Sequence, residues 1–205
     1  MEYKTVAKNA QAEFYEKRSR FIGHVRALES EKEAQAFIAE IKSKYWDATH
    51  NVYAYSIRTG GIKRFSDDGE PQGTAGMPVL DVIQKKSLTD CAIVVTRYFG
   101  GIQLGAGGLV RAYSRSASLA LEAAGLAKMA LCVRCRLTSD YGLHERVAQL
   151  IESKGGVIED SDFAENVRLK FYLKKDKIEE FQKALSELSF GKLTCQVEEE
   201  LYAKI

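Results

Sequence analysis

Hydrophobic spacing divides the chain into elements before any other property is considered. Gln11–Ser19 and Arg20–Leu28 are patterned as strands. The period then lengthens to that of a helix, with Ala34, Phe37, Ile38, Ile41 and Tyr45 on one stripe. Ser30 and Glu33 stand at capping-box spacing at its start. His50–Arg58, rich in aromatic and β-branched residues, reads as a strand. Pro71 and Pro78 bracket the loop GEPQGTAGMP, and a short helix is expected from Pro78 to Lys86, proline suiting a first turn. Cys91–Tyr98 is almost continuously apolar, a strand buried on both faces. It runs through FGGIQLGAGG into a helix expected over Gly108–Ala124. On that helix Arg111, Arg115 and Ser118 share one face, while Leu109, Ala112, Tyr113 and Ala120 point elsewhere. The order suggests a mixed α+β layer with its helices on one side.

The second half repeats the exercise more cleanly. Leu131–Thr138 alternates, with Leu131, Val133, Cys135 and Leu137 on one face. A helix carrying Leu143, Val147, Leu150 and Ile151 stops at Gly155–Gly156. Val157–Phe163 and Asn166–Lys174 read as strands across a short turn. Asp176 is placed to cap a last helix striped by Ile178, Phe181, Leu185 and Leu188, and Leu193–Glu200 closes as a strand. This is the ferredoxin-like order βαββαβ. The boundary between halves is expected at a short linker near Gly125–Met129, giving domains of residues 1–129 and 130–205.

Composition narrows the class. With 45% apolar and 28% charged residues the chain is a globular, not a disordered, sequence. No apolar run approaches the length of about 18 residues that crosses a bilayer. The stretch MEYKTVAKNAQAEFYEKR lacks an apolar segment with a cleavage site, so no secretory leader is expected. The four cysteines, including the pair Cys132 and Cys135, are expected as reduced thiols in a cytoplasmic protein. The net charge of +2 excludes a global polycation, although residues 1–130 carry 18 basic against 14 acidic side chains.

Candidate chemistry concentrates in two segments. Asp67, Asp68 and Glu70 put three carboxylates within four positions of a glycine- and proline-rich loop, a composition that holds magnesium in some proteins and forms a solvated turn in others. Gly100, Gly101, Gly105, Gly107 and Gly108 lie between the buried strand and the helix, where free N–H groups and the helix dipole favour an anion. Arg97, Arg111 and Arg115 would add charge-assisted contacts to a phosphate or to RNA. The glycine spacing is neither a Walker loop nor a dinucleotide fingerprint. His50 is the candidate acid or base, and no cysteine or serine has the setting of a nucleophile. In the second half Arg134, Arg136, Arg168 and Lys170 are expected to form a secondary basic face beside Tyr172 and Lys174, partly neutralised by Glu198 and Glu200.

The segments SRFIG (19–23), HNVYAY (50–55), SDDGEPQGTAGMPVL (66–80) and VVTRYFGGIQLGAGGLVRAY (94–113) resemble the YigZ/IMPACT family in its bacterial two-domain form. The resemblance implies an N-terminal domain of the fold shared by a small-subunit ribosomal protein, elongation factor G domain IV and GHMP kinases. It also implies a ferredoxin-like C-terminal domain like those of elongation factor G. Eukaryotic relatives modulate translation control by competing for a protein partner, so this chain is expected to be a non-enzymatic translation-associated regulator. Its expected partner is RNA, a ribosome or a ribosome-linked protein, with no cofactor and no membrane. The alternative is a magnesium-dependent enzyme acting on a phosphorylated small molecule or nucleotide. At Val52 the chain departs from the family, many of whose members carry cysteine there, which removes a thiol that would have paired with His50.

Overall fold

The computed structural model describes residues 2–204, which divide into one compact unit over Tyr3–Lys128 and a second that starts at Met129 and takes in Glu2. The elements of the first unit are β1 (Glu2–Val6), β2 (Ala10–Glu16), β3 (Ser19–Ala27), α1 (Glu31–Lys44), β4 (His50–Ile57), β5 (Ile62–Ser66), α2 (Gly76–Lys85), β6 (Cys91–Tyr98) and α3 (Ala106–Ala124). Strands β2-β3-β6-β4-β5 form an antiparallel sheet with β6 at its centre.

Helices cover both faces of this sheet, not one side as the element order suggested. Phe21, Val25, Val52, Ile93 and Val95 pack under α2 and α3. Tyr55, Ile57, Ala92 and Val94 face the stripe Ala34, Phe37, Ile38 and Ile41 of α1. The physical reason lies in β6, buried from Cys91 to Arg97: alternate residues feed opposite cores, so both faces need a lid. Val52 is fully buried in the larger core.

Local sequence explains most element ends. Ser30 Oγ accepts from the Glu33 N–H at 3.2 Å, and Glu33 in turn accepts from the Glu29 N–H at 3.0 Å. Helix α2 starts at Gly76, two residues before Pro78, because its cap is distant in sequence: the Asp67 carboxylate accepts from the N–H groups of Gly73, Ala75 and Gly76. Strand β2 ends at Glu16, and the predicted strand to Ser19 is broken by a two-residue turn. Lys17 and Arg18 both sit at positive φ (43° and 67°) there, and Glu16 pairs with Ser19. Helix α3 runs close over β3 at Gly23, where a Cβ would lie 2.6 Å from the Ser116 carbonyl oxygen.

In the second unit, β7 (Leu126–Ser139), α4 (Tyr141–Ser153), β8 (Val157–Phe163), β9 (Val167–Lys174), α5 (Ile178–Ser189) and β10 (Gln196–Lys204) follow one another. The antiparallel order β10-β7-β9-β8 is that of a ferredoxin-like sheet. One face, with Val133, Cys135, Leu137, Leu169 and Phe171, packs on α4 and α5. Three boundaries differ from expectation. No loop occupies the expected linker, because β7 begins at Leu126 and runs on unbroken. Asp176 lies in a 3₁₀ turn over Lys175–Lys177 and does not cap α5, which starts without a side-chain cap. The last strand opens at Gln196, not Leu193, and continues to Lys204. Cys91, Cys132, Cys135 and Cys195 are all buried free thiols. Alternation puts Cys132 and Cys135 in different cores, so their spacing is that of a strand, not of a metal or redox pair.

Candidate functional site

The loop from Ser66 to Gly76 folds around His50 at the start of β4. Asp68 and Gly69 both adopt positive φ (47° and 87°), and the Asp68 N–H is held by Ser66 Oγ at 3.2 Å. This reversal turns the Asp68 carbonyl onto His50 Nδ1 at 2.8 Å. A carbonyl only accepts, so Nδ1 carries a hydrogen, and in the neutral ring Nε2 is the acceptor. Nε2 then faces Glu70 Oε1 at 3.8 Å. Non-glycine residues at positive φ store strain, and here the strain fixes the orientation of an imidazole.

Glu70 is the centre of a buried cluster. Its Oε1 accepts from Arg97 Nη1 and from the Tyr113 hydroxyl, both at 2.6 Å. Arg97 is 4% exposed, and its guanidinium carbon lies 5.5 Å from the Phe21 ring centre and 5.4 Å from that of Phe99. Burial, then the Glu70 carboxylate, drives the Tyr113 hydroxyl far above its ordinary value, so Tyr113 remains a donor.

The three clustered carboxylates therefore do three separate tasks. Asp67 caps α2, Asp68 receives Lys42 Nζ and the Asn51 N–H at 2.6 Å each, and Glu70 neutralises Arg97. Among the described residues no three His, Cys, Asp or Glu side chains converge as metal ligands. Of the two readings of Asp67, Asp68 and Glu70, magnesium loop or hydrogen-bonded turn, the geometry has the character of the turn: consecutive positive-φ residues splay the side chains, and backbone or cationic partners occupy them.

The glycine-rich segment also splits. Arg97 turns inward to Glu70 and is not presented to a surface anion, because the strand preceding the glycines is buried. Gly100 abuts the β2–β3 turn so closely that a Cβ would fall 2.1 Å from the Arg18 carbonyl carbon. The Gly100 N–H donates to Ser19 Oγ at 3.2 Å. Gly101 and Gly105 take positive φ, and Gly105 opens α3 without any side-chain cap. Gly107 and Gly108 lie in the first turn of α3.

Arg111 and Arg115 remain surface-exposed on α3 and meet an element that hydrophobic patterning had hidden. With Lys17 they line a cavity of about 250 Å³ floored by Phe14 and Ala112, and the Arg115 guanidinium lies 4.7 Å from the Phe14 ring centre. Lys17, Arg18, Arg111 and Arg115 form no ion pair among the described residues, and Glu16 is the one carboxylate in the lining. Lys17 and Arg18 were not among the expected site residues. The signal for them was a Lys-Arg pair where a tight hairpin normally has Asn-Gly.

The sheet face of the second unit has a different balance. Arg134 pairs with Glu159 at 2.7 Å and with Glu199, Arg136 with Glu198 at 2.7 Å, and Arg168 faces Asp162 at 3.8 Å. Lys170 stands between Arg136 and Asp160 in the strand register. The expected basic face is therefore a mixed lattice of ion pairs, since β8 and β10 bring as many carboxylates as β7 and β9 bring cations.

Comparison with known proteins follows this geometry. Residues 17–121, which contain both the Glu70 cluster and the cationic groove, match the model of the Impact N-terminal domain. The chain belongs to the IMPACT family. Residues 137–192 match a domain of unknown function, DUF1949. The IMPACT family member YvyE of Bacillus subtilis is 39% identical over 191 residues, covering 93% of this chain and 88% of that one. The IMPACT family member YigZ of Escherichia coli is 33% identical over 187 residues, covering 90% and 92%. A Protein IMPACT homolog of Dictyostelium discoideum is 40% identical over 95 residues, 44% of this chain and 27% of its own. A crystal structure titled as that of a hypothetical protein superposes with a TM-score of 0.62 at 30% identity, covering 97% and 98% of the two chains. No helix among the described residues is long and apolar enough to cross a membrane.

Proposed function

We propose that this IMPACT-family protein is a non-catalytic, cytoplasmic, translation-associated factor that binds RNA or ribosome phosphates through the groove between the β2–β3 turn and α3. The observation that carries the reading is the convergence of Lys17, Arg111 and Arg115, from two separate elements, with no ion-pair partner among the described residues. Unpaired cations in one groove create a local positive potential that overall charge conceals. The Phe14 ring lies 4.7 Å from the Arg115 guanidinium carbon, a cation–π contact that leaves the guanidinium N–H groups for a phosphate. Lys-Arg at two positive-φ positions is a costly choice for a hairpin, and a cationic partner surface is the gain that accounts for it.

The test is binding of the purified chain to tRNA and to ribosomes across a salt series. Phosphate contacts release counterions, so log affinity falls linearly with log salt. Arg111→Ala/Arg115→Ala is expected to reduce that slope by about 1 to 2 and weaken binding at every salt concentration. Salt-independent binding, or none to either partner, refutes the reading.

A further inference from the structure

A second cavity, of about 380 Å³, opens beside the Glu70 cluster and is distinct in lining from the cationic groove apart from Leu104. Its apolar walls include Pro71, Phe99 and Leu109, and its polar end holds His50, Glu70 and Arg97. Its volume is within the range of small-molecule sites, which are mostly apolar with a few convergent polar groups.

Two acceptors at that polar end lack donors. In the neutral ring His50 Nε2 is an acceptor, because the hydrogen on Nδ1 is committed to the Asp68 carbonyl. Glu70 is 3% exposed at its side chain, yet both of its hydrogen bonds enter through Oε1, and Oε2 accepts none from any described residue. His50 Nε2 and Glu70 Oε2 are thus the acceptors left at that end, and a hydroxyl or amine can serve it. Arg97 offsets the Glu70 charge, so a neutral donor is accommodated as well as a cationic one.

The opposite wall is Gly105 and Ala106, the start of a helix of 19 residues with no side-chain cap. The first intrahelical bond is made by the Leu109 N–H to the Gly105 carbonyl, leaving the Ala106 N–H in this lining for an external acceptor. Acceptors at one end and a donor at the other define a bifunctional ligand.

We infer that this cavity binds a small molecule bearing a hydroxyl or amine at one end and a carboxylate or phosphate at the other. The site is independent of the groove assigned to RNA and needs no metal.

The experiment is isothermal titration of the full chain with serine, lactate, phosphoethanolamine and glycerol phosphate, with acetate and inorganic phosphate as single-function controls. At least one bifunctional probe is expected to bind saturably and more tightly than both controls. His50→Asn keeps a donor at the Nδ1 position and removes the Nε2 acceptor, so it is expected to weaken that probe at least about tenfold with the melting temperature preserved. No binding by any probe overturns the inference, as does equal binding of inorganic phosphate or of the H50N variant. Arg111→Ala/Arg115→Ala should leave probe binding intact and H50N should leave tRNA binding intact, so failure of one site is separable from failure of the other.

Discussion

Arg97 and Glu70 form a 2.6 Å ion pair in the interior of the first unit, each less than a tenth exposed. The pair joins the central strand to the loop that holds His50, and Tyr113 closes it from α3. It is the point at which three elements distant in sequence are fixed together.

Breaking such a pair from one side leaves a buried charge without compensation. Glu70→Ala is expected to destabilise the chain by about 3–5 kcal/mol, whereas the double change Glu70→Leu/Arg97→Met costs much less. Urea denaturation of the two variants measures the difference, and equal losses would refute a pairwise dependence.

The β2–β3 turn trades stability for charge. Lys17→Asn/Arg18→Gly supplies the residues its positive φ angles favour and is expected to raise stability by about 1–2 kcal/mol. The same variant removes Lys17 from the groove and a second cation from the turn beside it, and should weaken tRNA binding. Thermal melts and binding isotherms on one preparation test both halves; a variant that is more stable and binds as well separates the turn from the partner surface.

Close approach of α3 to β3 depends on Gly23. A Cβ there meets the Ser116 carbonyl oxygen at 2.6 Å and the Ala120 Cβ at 3.1 Å, and Ser116 is on the helix backbone, which cannot swing aside. Gly23→Ala is expected to cost about 1–3 kcal/mol. The midpoint of denaturation should fall with the slope against urea unchanged.

His24 gives the first unit a pH dependence of definite sign. It is 4% exposed, its Nε2 has no partner, and burial, then Lys44, lowers its pKa from 6.5 to about 4. The unfolded chain therefore takes up a proton that the native state refuses. Stability from this residue is complete above pH 6.5, declines as pH falls towards 4, and totals about 3 kcal/mol. Denaturation at pH 7 and pH 4.5 should show a smaller loss in His24→Leu than in the native chain.

Asp67 acts as an N-cap supplied from outside its helix. Asp67→Ala leaves the Gly73, Ala75 and Gly76 N–H groups without their acceptor and should cost about 1–2 kcal/mol. Asp67→Asn, which keeps one oxygen, should lose less, and an unaffected helix start in amide hydrogen exchange would argue against the cap.

Much of this was readable along the chain. The stripe of α1, its capping box, the almost continuously apolar β6 and the order βαββαβ follow from spacing and short-range hydrogen bonding, which depend on neighbours within a few residues. The apolar run of β6 even implied that both faces of its sheet are covered, although element order pointed to one.

What the chain alone determined was therefore the identity of the elements, the candidate loops and the family motifs. The partner of each charged side chain was decided only by the tertiary structure. Asp67, Asp68 and Glu70 are adjacent in sequence and diverge because Asp68 and Gly69 reverse the backbone. Arg97, read as a surface cation, is buried because its strand is central. Arg134 and Arg136 are neutralised by Glu159, Glu199 and Glu198 through strand pairings that no local pattern encodes. Lys17 joins Arg111 and Arg115 only when α3 lies along β2 and β3. Local rules fix backbone periodicity; charge is a pairwise property of space, and space is assigned by long-range packing.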